Sequence, residues 1–578
     1  MANSNSNLLE EFPPVTTQAW EDAIAKDLKG ADYDKKLIWR TVAGMAARPY
    51  YRAEDTAGLD WARTTPGVFP YVRGTRAEAG WRIREVIDLP DALAANRAAR
   101  AAVAAGADEI SFGKITVGNV SDVAILLTDL DSVPVLLACP DGRFMRRLLA
   151  HLVKAQRTAP VATTFEPLSD IDCAVQTALS APPGMTPFMI NDARLEDAYA
   201  TAAQEIGFAL ANGVDYLAAM TERGVNAARA ASLVHFGFGI GANFFFEIAK
   251  LRALRMLWAR VVESFGAPAE ACKARIAART ARWNKTVYDP HMNVLRATTE
   301  AIAAVLGGAD SVSVAAFDEC YRRPDEASRR LARNTQILLK HEAMLAQVAD
   351  PGGGAYAIEA ITAFLAEEGW KIMQEVESRG GYRQAKEWIG EKIEQSVTDR
   401  ESSVGDRRRI FVGTNQFANP AERALERIEP VRFAAGRRAT RFYEELRLRT
   451  ERSGKTPRIL LAEIGDTKMR AARSSFAANF FACAGFAVPV QRFAAAGEIA
   501  AAEGDAIVLC SSDREYAALV AELIPKLKAA GRSTPVIVAG NPENTEGLRA
   551  AGVADFIHVR SNPLEVLAEW QKRLGVRE

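Results

Sequence analysis

From about residue 82 to residue 430 the chain repeats one unit: a helical stretch, a glycine or polar turn, then a short apolar run. That alternation constrains the fold more than any single motif does. Strands separated by helices run parallel, and a parallel sheet must have both faces covered. "ALAANRAARAAVAAGADEISF" (92–112) reads as an Ala-rich helix, a Gly turn and a strand. "VPVLLAC", "APVATTF", "MTPFMIND", "DSVSVAAFD" and "RIFVGTNQF" are further short apolar runs. "NFFFEIAKLRALRMLWARVVESFG" (243–266) carries apolar residues at i, i+3 and i+4 along a long helix, with Gly266 as its stop. So many units in one stretch suit a β/α barrel better than a small open sheet.

The pattern then changes. Residues 431–457 read as a basic, Arg-rich linker that ends at a Gly-x-x-Pro turn. Five compact β/α units follow in 458–578, with strands "RILLAEI", "FAVPV", "DAIVLC", "TPVIVAG" and "DFIHV". Their size and spacing predict a flavodoxin-like, doubly wound domain. The junction after its first strand, Gly465-Asp466-Thr467-Lys468-Met469, lies where open α/β sheets usually hold a ligand.

At 578 residues the chain exceeds what one hydrophobic core serves, so several domains are expected. Lys+Arg and Asp+Glu balance at 72 each, which gives no reason to expect nucleic acid or an anionic membrane as a partner. No apolar run approaches the ~20 residues that span a bilayer. The opening "MANSNSNLLEEFPP" has neither the basic start nor the apolar core of a signal peptide, which points to the cytoplasm and to an arm that is mobile or ordered only against a partner. The six cysteines (139, 173, 272, 320, 483, 510) form no CxxC pair and read as small buried hydrophobes.

Three features imitate sites. "SGKT" (453–456) lacks the first glycine of a phosphate loop, since Arg449 stands there, and reads as a connector turn. "FGFGIGANFF" (236–245) lacks G-x-G-x-x-G spacing, so its glycines fit close strand–helix packing. His558 has no second His or Cys nearby at metal-ligand spacing, so no metal site is expected.

At "FFFEIAKLRALRMLW" (244–258) the chain resembles the adenosylcobalamin-dependent acyl-CoA mutases, specifically the methylmalonyl-CoA mutase family. "LKGADYDKKLIWRT" (28–41), "GVFPYVRG" (67–74), "RATTEAIAAVLGGADSV" (296–312), "AFDE" (316–319), "RLARNTQILLKHE" (330–342) and "DPGGGAYAIEAIT" (350–362) resemble it too, in order. The resemblance implies a (β/α)8 TIM barrel at 67–430 that binds substrate. It also implies a 431–457 linker, a cobalamin-type domain at 458–578, and an N-terminal arm and helical segment at 1–66 for partner contact. In that family, substrate CoA threads the barrel and a cofactor-derived radical drives a carbon-skeleton rearrangement.

The chemical positions depart from the family pattern. Active members carry Asp-x-His-x-x-Gly, in which the His ligates cobalt and the Gly makes room for the nucleotide tail. Here Asp466 remains, Lys468 stands for the His and Ala471 for the Gly. No histidine lies between His341 and His558, so no shift of register restores one. Lysine is ordinarily an ammonium without a lone pair to give. "CSSDREY" keeps only Ser511 and Ser512 of a Ser-rich turn, Ala539-Gly540 replaces a Gly pair, and Arg560-Ser561-Asn562 replaces a small turn. In the barrel, "INDARLEDA" (190–198) puts Arg194 where the family has its substrate-side His, and the segment after Gly74 lacks the family tyrosine. "TTFEPL" (163–168) barely matches another family turn.

Framework segments persist while positions that serve chemistry fail. The resemblance then implies the small, non-catalytic subunit of a heterodimeric methylmalonyl-CoA mutase, binding no cofactor of its own. Adenosylcobalamin would sit in a homologous catalytic large subunit. The alternatives are a self-sufficient or a split acyl-CoA mutase of altered specificity.

Overall fold

The computed structural model describes residues 15–114, 116–192, 194–430 and 437–577, with backbone alone at 191, 192, 194 and 196. Eight parallel strands close into a barrel: β1 (Arg82–Ile87), β2 (Glu109–Phe112), β3 (Val135–Leu137), β4 (Val161–Phe165), β5 (Met185–Asp192), β6 (Val234–Ile240), β7 (Ile276–Thr280) and β8 (Ser311–Ser313). Each pairs with the next, and β8 returns to β1 with Ser313 opposite Arg84. The expected strand in "RIFVGTNQF" is not part of this barrel. Residues 411–417 form a turn, because the Asn415 side chain takes the Phe411 N–H at 2.6 Å and donates to Val404 and Arg409 carbonyls, leaving one bridge, Val412 to Gln416.

The main apolar layer lies between the barrel and its helices. Tyr216 packs on Phe188, with ring centroids 5.6 Å apart, and Trp258 packs edge-on against Phe236 at 5.0 Å. Helices Ala202–Thr221 and Tyr356–Ser378 approach so closely that a Cβ on Gly207 would stand 2.5 Å from Ile372. Only glycine fits there, and a larger residue would force the two helices apart.

The segments that resemble the mutase family converge on a buried ionic frame. Arg252, on α2 (Phe244–Ser264), pairs with Asp350 and, at 2.6 Å, with Glu359; Arg73 also reaches Asp350, at 2.8 Å. Arg255, one turn on, donates to the carbonyls of Tyr71, Val72 and Gly308. Burial pulls the Arg255 guanidinium down to about 10. Removing any partner would leave a charge in the interior, so this frame tolerates little change. Its likeness to the family is therefore architectural.

Ahead of the barrel, α1 (Thr17–Asp27) is capped by Thr16 and buries no residue. Trp20 stacks on Tyr50 at 5.1 Å, and Trp20 and Trp39 stay about half exposed, at 45% and 53%.

Behind the barrel, the basic connector differs from the expectation. Residues 441–452 form α4 (Arg441–Arg452), following α3 (Glu326–His341) in this numbering, and bury Tyr443, Glu444, Leu446, Arg447, Leu448 and Thr450. The sequence reads this stretch as an Arg-rich linker, but tertiary partners take up two of its arginines: Arg447 stacks 3.6 Å from the Tyr288 ring and Arg449 bonds Gln571. "SGKT" is the turn that ends α4, with Ser453 at its C-cap.

The C-terminal sheet has five parallel strands: β9 (Ile459–Glu463), β10 (Val490–Arg492), β11 (Ala506–Cys510), β12 (Val536–Ala539) and β13 (Val553–Ile557). Their order is β10-β9-β11-β12-β13. One apolar cluster joins Tyr199 and Trp283 of the barrel, Tyr443 of α4, and Phe480 and Trp570 of the C-terminal units.

Candidate functional sites

Parallel barrels place their sites at the C-terminal ends of the strands. The barrel interior is polar. Residues alternate in and out along each strand, and the inward set includes Arg84, Glu109, His235, Ser311 and Ser313, which line its cavities. Glu109 Oε1 accepts from Arg84 at 2.8 and 2.5 Å, and Glu109 Oε2 accepts from Arg82 at 2.7 Å. The two arginines outweigh desolvation and hold the Glu109 carboxyl below its usual range.

Arg84 lines two cavities at once. On the N-terminal side lies a small one of about 50 Å³, bounded by Arg82, Glu109, His235 and Arg275. On the C-terminal side lies a larger one of about 470 Å³. Arg84, held by Glu109 of the neighbouring strand β2, thus borders both cavities. His235, 4% exposed, has no hydrogen-bond partner on either ring nitrogen among the described residues. Burial, reinforced by the Arg84 charge, pushes its pKa down to about 3, so the ring is neutral.

The larger cavity is walled by β1, β7, β8 and α3. Arg333 of α3 bonds Glu85 at 2.5 Å, Arg279 pairs with Asp197, and Arg282 pairs with Glu319. Lys114 and Arg323 also line it. Arg194 opens the short helix Arg194–Asp197 beside this mouth, but its side chain lies outside the described residues.

The second candidate is the strand–loop–helix after β9. Gly465 takes a positive φ of 77°, and Asp466 caps α5 (Thr467–Ala482), accepting the Met469 N–H at 2.7 Å. That cap satisfies one of the helix's orphan N–H groups and gives Asp466 a structural use. Lys468 and Ala471 are exposed on the first turns of α5.

The loop's room is taken by Glu515, just before α6 (Tyr516–Ala529). One carboxylate oxygen accepts from Ser511 Oγ and Ser512 Oγ, each at 2.6 Å, from the Ser512 N–H at 3.1 Å and from the Asp466 N–H at 3.2 Å. Those donors, the Ser511 hydroxyl foremost, depress its pKa to about 2. A Cβ on Gly465 would stand 2.6 Å from that carboxylate. One strand over, Arg473 bonds Asp513 at 3.0 Å, and the Tyr516 hydroxyl donates to the Ala539 carbonyl at 2.7 Å. A Cβ on Gly540 would meet Asp513 at 2.6 Å. The crevice at the C-terminal ends of β9, β11 and β12 is thus occupied by the chain's own side chains.

His558 follows β13, its Nδ1 accepting the Arg560 N–H at 3.2 Å, while Ser561 Oγ takes the His558 N–H at 3.0 Å. That turn holds the ring locally. Among the described residues no cluster of three or more His, Cys, Asp or Glu is placed to hold a metal ion.

Sequence reading singled out Arg194, Asp466, Lys468 and Ala471, and the structure brings the last three together on one helix start. It did not single out Arg84, Glu109 or Glu515. β1, "RIREVI", gives no strand signal in the sequence because two of its inward positions, Arg82 and Arg84, are charged, against the usual alternation of apolar inside and polar outside. β6 was read for its glycines alone, which weaken a strand signal.

Comparison with known proteins adds independent findings. The family model described as methylmalonyl-CoA mutase matches residues 149–506. The chain is 38% identical to a methylmalonyl-CoA mutase small subunit of Porphyromonas gingivalis, over 100% of both chains. It is 31% identical to a protein of the same name from Streptomyces virginiae, over 99% of this chain and 98% of that one. It also matches the methylmalonyl-CoA mutase large subunit of Streptomyces virginiae at 29% identity, over 70% of this chain and 62% of the other.

Proposed function

The chain belongs to the methylmalonyl-CoA mutase family, and from that premise we propose that it is the small subunit of an adenosylcobalamin-dependent methylmalonyl-CoA mutase. In this reading it is non-catalytic and supports a homologous large subunit, which holds the cofactor and performs the rearrangement of methylmalonyl-CoA and succinyl-CoA. The observation that carries the reading is that the crevice of the C-terminal sheet is taken up from within. Glu515 sits beside Asp466, holding the Ser511 and Ser512 hydroxyls and the Asp466 N–H.

The residues present do not fit cobalamin. Lys468 is an exposed side chain on the helix start, and Ser511 and Ser512, the two remaining family serines, are engaged by Glu515. The degenerate motif is therefore Asp466, Lys468 and Ala471, with Asp466 kept as a helix cap. The β10-β9-β11-β12-β13 order supports a flavodoxin-like domain that has lost its ligand. A split mutase, with cobalamin on another chain, would account for Lys468 but not for Arg194 at the substrate-side position.

The 1–66 segment serves the partner in this reading, since α1 buries nothing and Trp20, Trp39 and Val42 remain exposed. An interface would bury them and stabilise both chains by mass action. Six free cysteines, five of them buried, support a reducing compartment such as the cytoplasm. Among the described residues no helix is long and apolar enough to cross a membrane.

The test uses the purified chain with adenosylcobalamin and methylmalonyl-CoA, alone and then with the co-expressed large subunit. Turnover and cofactor absorption only in the mixture, with co-elution of the two chains, are expected. A cofactor-loaded or active isolated chain refutes the proposal.

A further inference from the structure

Two domains joined by a connector move against each other unless the surface between them is large and apolar. Here the surface is apolar and continuous. One cluster runs from Tyr199 and Trp283 at the C-terminal end of the barrel, through Phe411 and Tyr443, to Phe480 and Trp570 on the C-terminal units. None of these six side chains is more than 5% exposed.

Trp283 is the centre of the barrel's share. Its ring lies 5.5 Å from that of Tyr199 and 6.0 Å from that of Phe411. Two guanidinium carbons lie over it, Arg400 at 5.1 Å and Arg409 at 4.5 Å. Ring pairs and cation–ring contacts add to what burial alone supplies. Tyr199 reaches this box from a backbone φ of 71°, a left-handed conformation that a bulky residue holds only where its surroundings impose it. The Tyr199 hydroxyl has no hydrogen-bond partner among the described residues, so what the residue contributes is its ring.

Polar contacts follow the same seam. Arg400 donates to the Ala200 carbonyl at 2.7 Å, tying helix Lys386–Gly405 to the barrel. Tyr443 of α4 donates to the Gly405 carbonyl at 2.6 Å. Toward the C-terminal sheet, Thr450 of α4 donates to the Ala484 carbonyl, and Gln571 donates to the Leu446 carbonyl, each at 2.6 Å. Barrel, connector and sheet are thus chained together by buried groups.

We propose that this seam is a fixed latch: the barrel and the C-terminal sheet form one cooperative unit that does not hinge, and the C-terminal domain serves as a buttress completing the packing around Trp283. Parting the two would expose the rings of a single cluster to water and break hydrogen bonds whose partners are buried. The inference goes beyond the subunit reading and rests on packing alone.

Two thiols report on it in the full chain. Cys173, on the barrel helix Ile171–Ser180, and Cys510, at the end of β11, are fully buried in separate apolar clusters. Iodoacetamide labelling through sub-denaturing urea, read by peptide mass spectrometry and scaled to the unfolded chain, times the opening of each. The two are expected to open at rates within about threefold of each other. Val538→Ala, on the face of the sheet away from the seam, should speed both thiols by a common factor, and so should Trp283→Leu in the barrel. Thiols that open more than about threefold apart in the wild type overturn the proposal. So does either variant that leaves the other domain's thiol unchanged. Should Trp283→Leu fail to fold, the Val538→Ala comparison decides by itself. Turnover of methylmalonyl-CoA by the isolated chain would overturn the subunit reading and leave this one standing.

Discussion

The helix joining the barrel to the C-terminal sheet should fail in a specific way when Glu444 is removed. Glu444 is fully buried; its Oε1 accepts the Val287 N–H at 3.0 Å and the Thr440 hydroxyl at 2.9 Å, and its Oε2 accepts from Arg438 at 2.8 Å. Burial pulls the Arg438 guanidinium down and Glu444 more than restores it, so the net shift is upward. Glu444→Ala therefore removes the carboxylate that neutralises a guanidinium only 3% exposed, and strands a backbone N–H of the barrel. Breaking a buried pair in this way costs about 3–5 kcal/mol. Replacing both partners by apolar groups removes the charge problem, so Arg438→Leu/Glu444→Leu should recover more than half of that loss. Urea unfolding followed by tryptophan fluorescence reports on this seam directly, because Trp283 and Trp570 lie in the cluster that spans it. If the single variant loses under ~1 kcal/mol, or the two substitutions prove additive, the pair is not what holds α4 in place.

Three further outcomes follow from the site geometry. Lys468→His/Ala471→Gly, which rewrites the motif but leaves Glu515 in the crevice, should still produce no histidine-ligated cobalamin spectrum in the isolated chain; such a spectrum would show that the crevice is not the obstacle. Glu515 has its pKa depressed to about 2, so its contribution is complete above the ordinary carboxylate range and is lost as pH falls toward 2. The stability difference between wild type and Glu515→Gln should accordingly be flat above pH ~5 and shrink below pH ~4; a difference independent of pH contradicts the assignment. His235 has a pKa of about 3 in the fold against ~6.5 unfolded, so its neutral form is a source of stability that drains away as pH drops from ~6.5 toward 3. His235→Gln should flatten thermal stability over that window in differential scanning calorimetry, and an unchanged acid slope would refute the reading.

Much of the fold was legible because it rests on local patterns. The helix–turn–strand alternation announced parallel β/α architecture, and five of the eight barrel strands sit where short apolar runs fall. The linker was not legible as a buried helix. Arginines at 441, 447, 449 and 452 look solvated until Tyr288, the Gly413 and Asn419 carbonyls and Gln571 arrive from elsewhere in the chain to receive two of them.

The sequence by itself determined that Lys468 and Ala471 stand in a helix start where family chemistry needs other groups, since residue type alone decides whether a lone pair or space is available. It also determined the order of β/α units and the absence of any His between 341 and 558. Only the tertiary structure decided that Arg84 and Glu109, 25 positions apart on neighbouring strands, pair inside the barrel. It alone placed Glu515 under the Asp466 loop, 49 positions away. Such pairings depend on strand register and on which side chains point inward, and sequence spacing does not encode either one once the inward positions are charged.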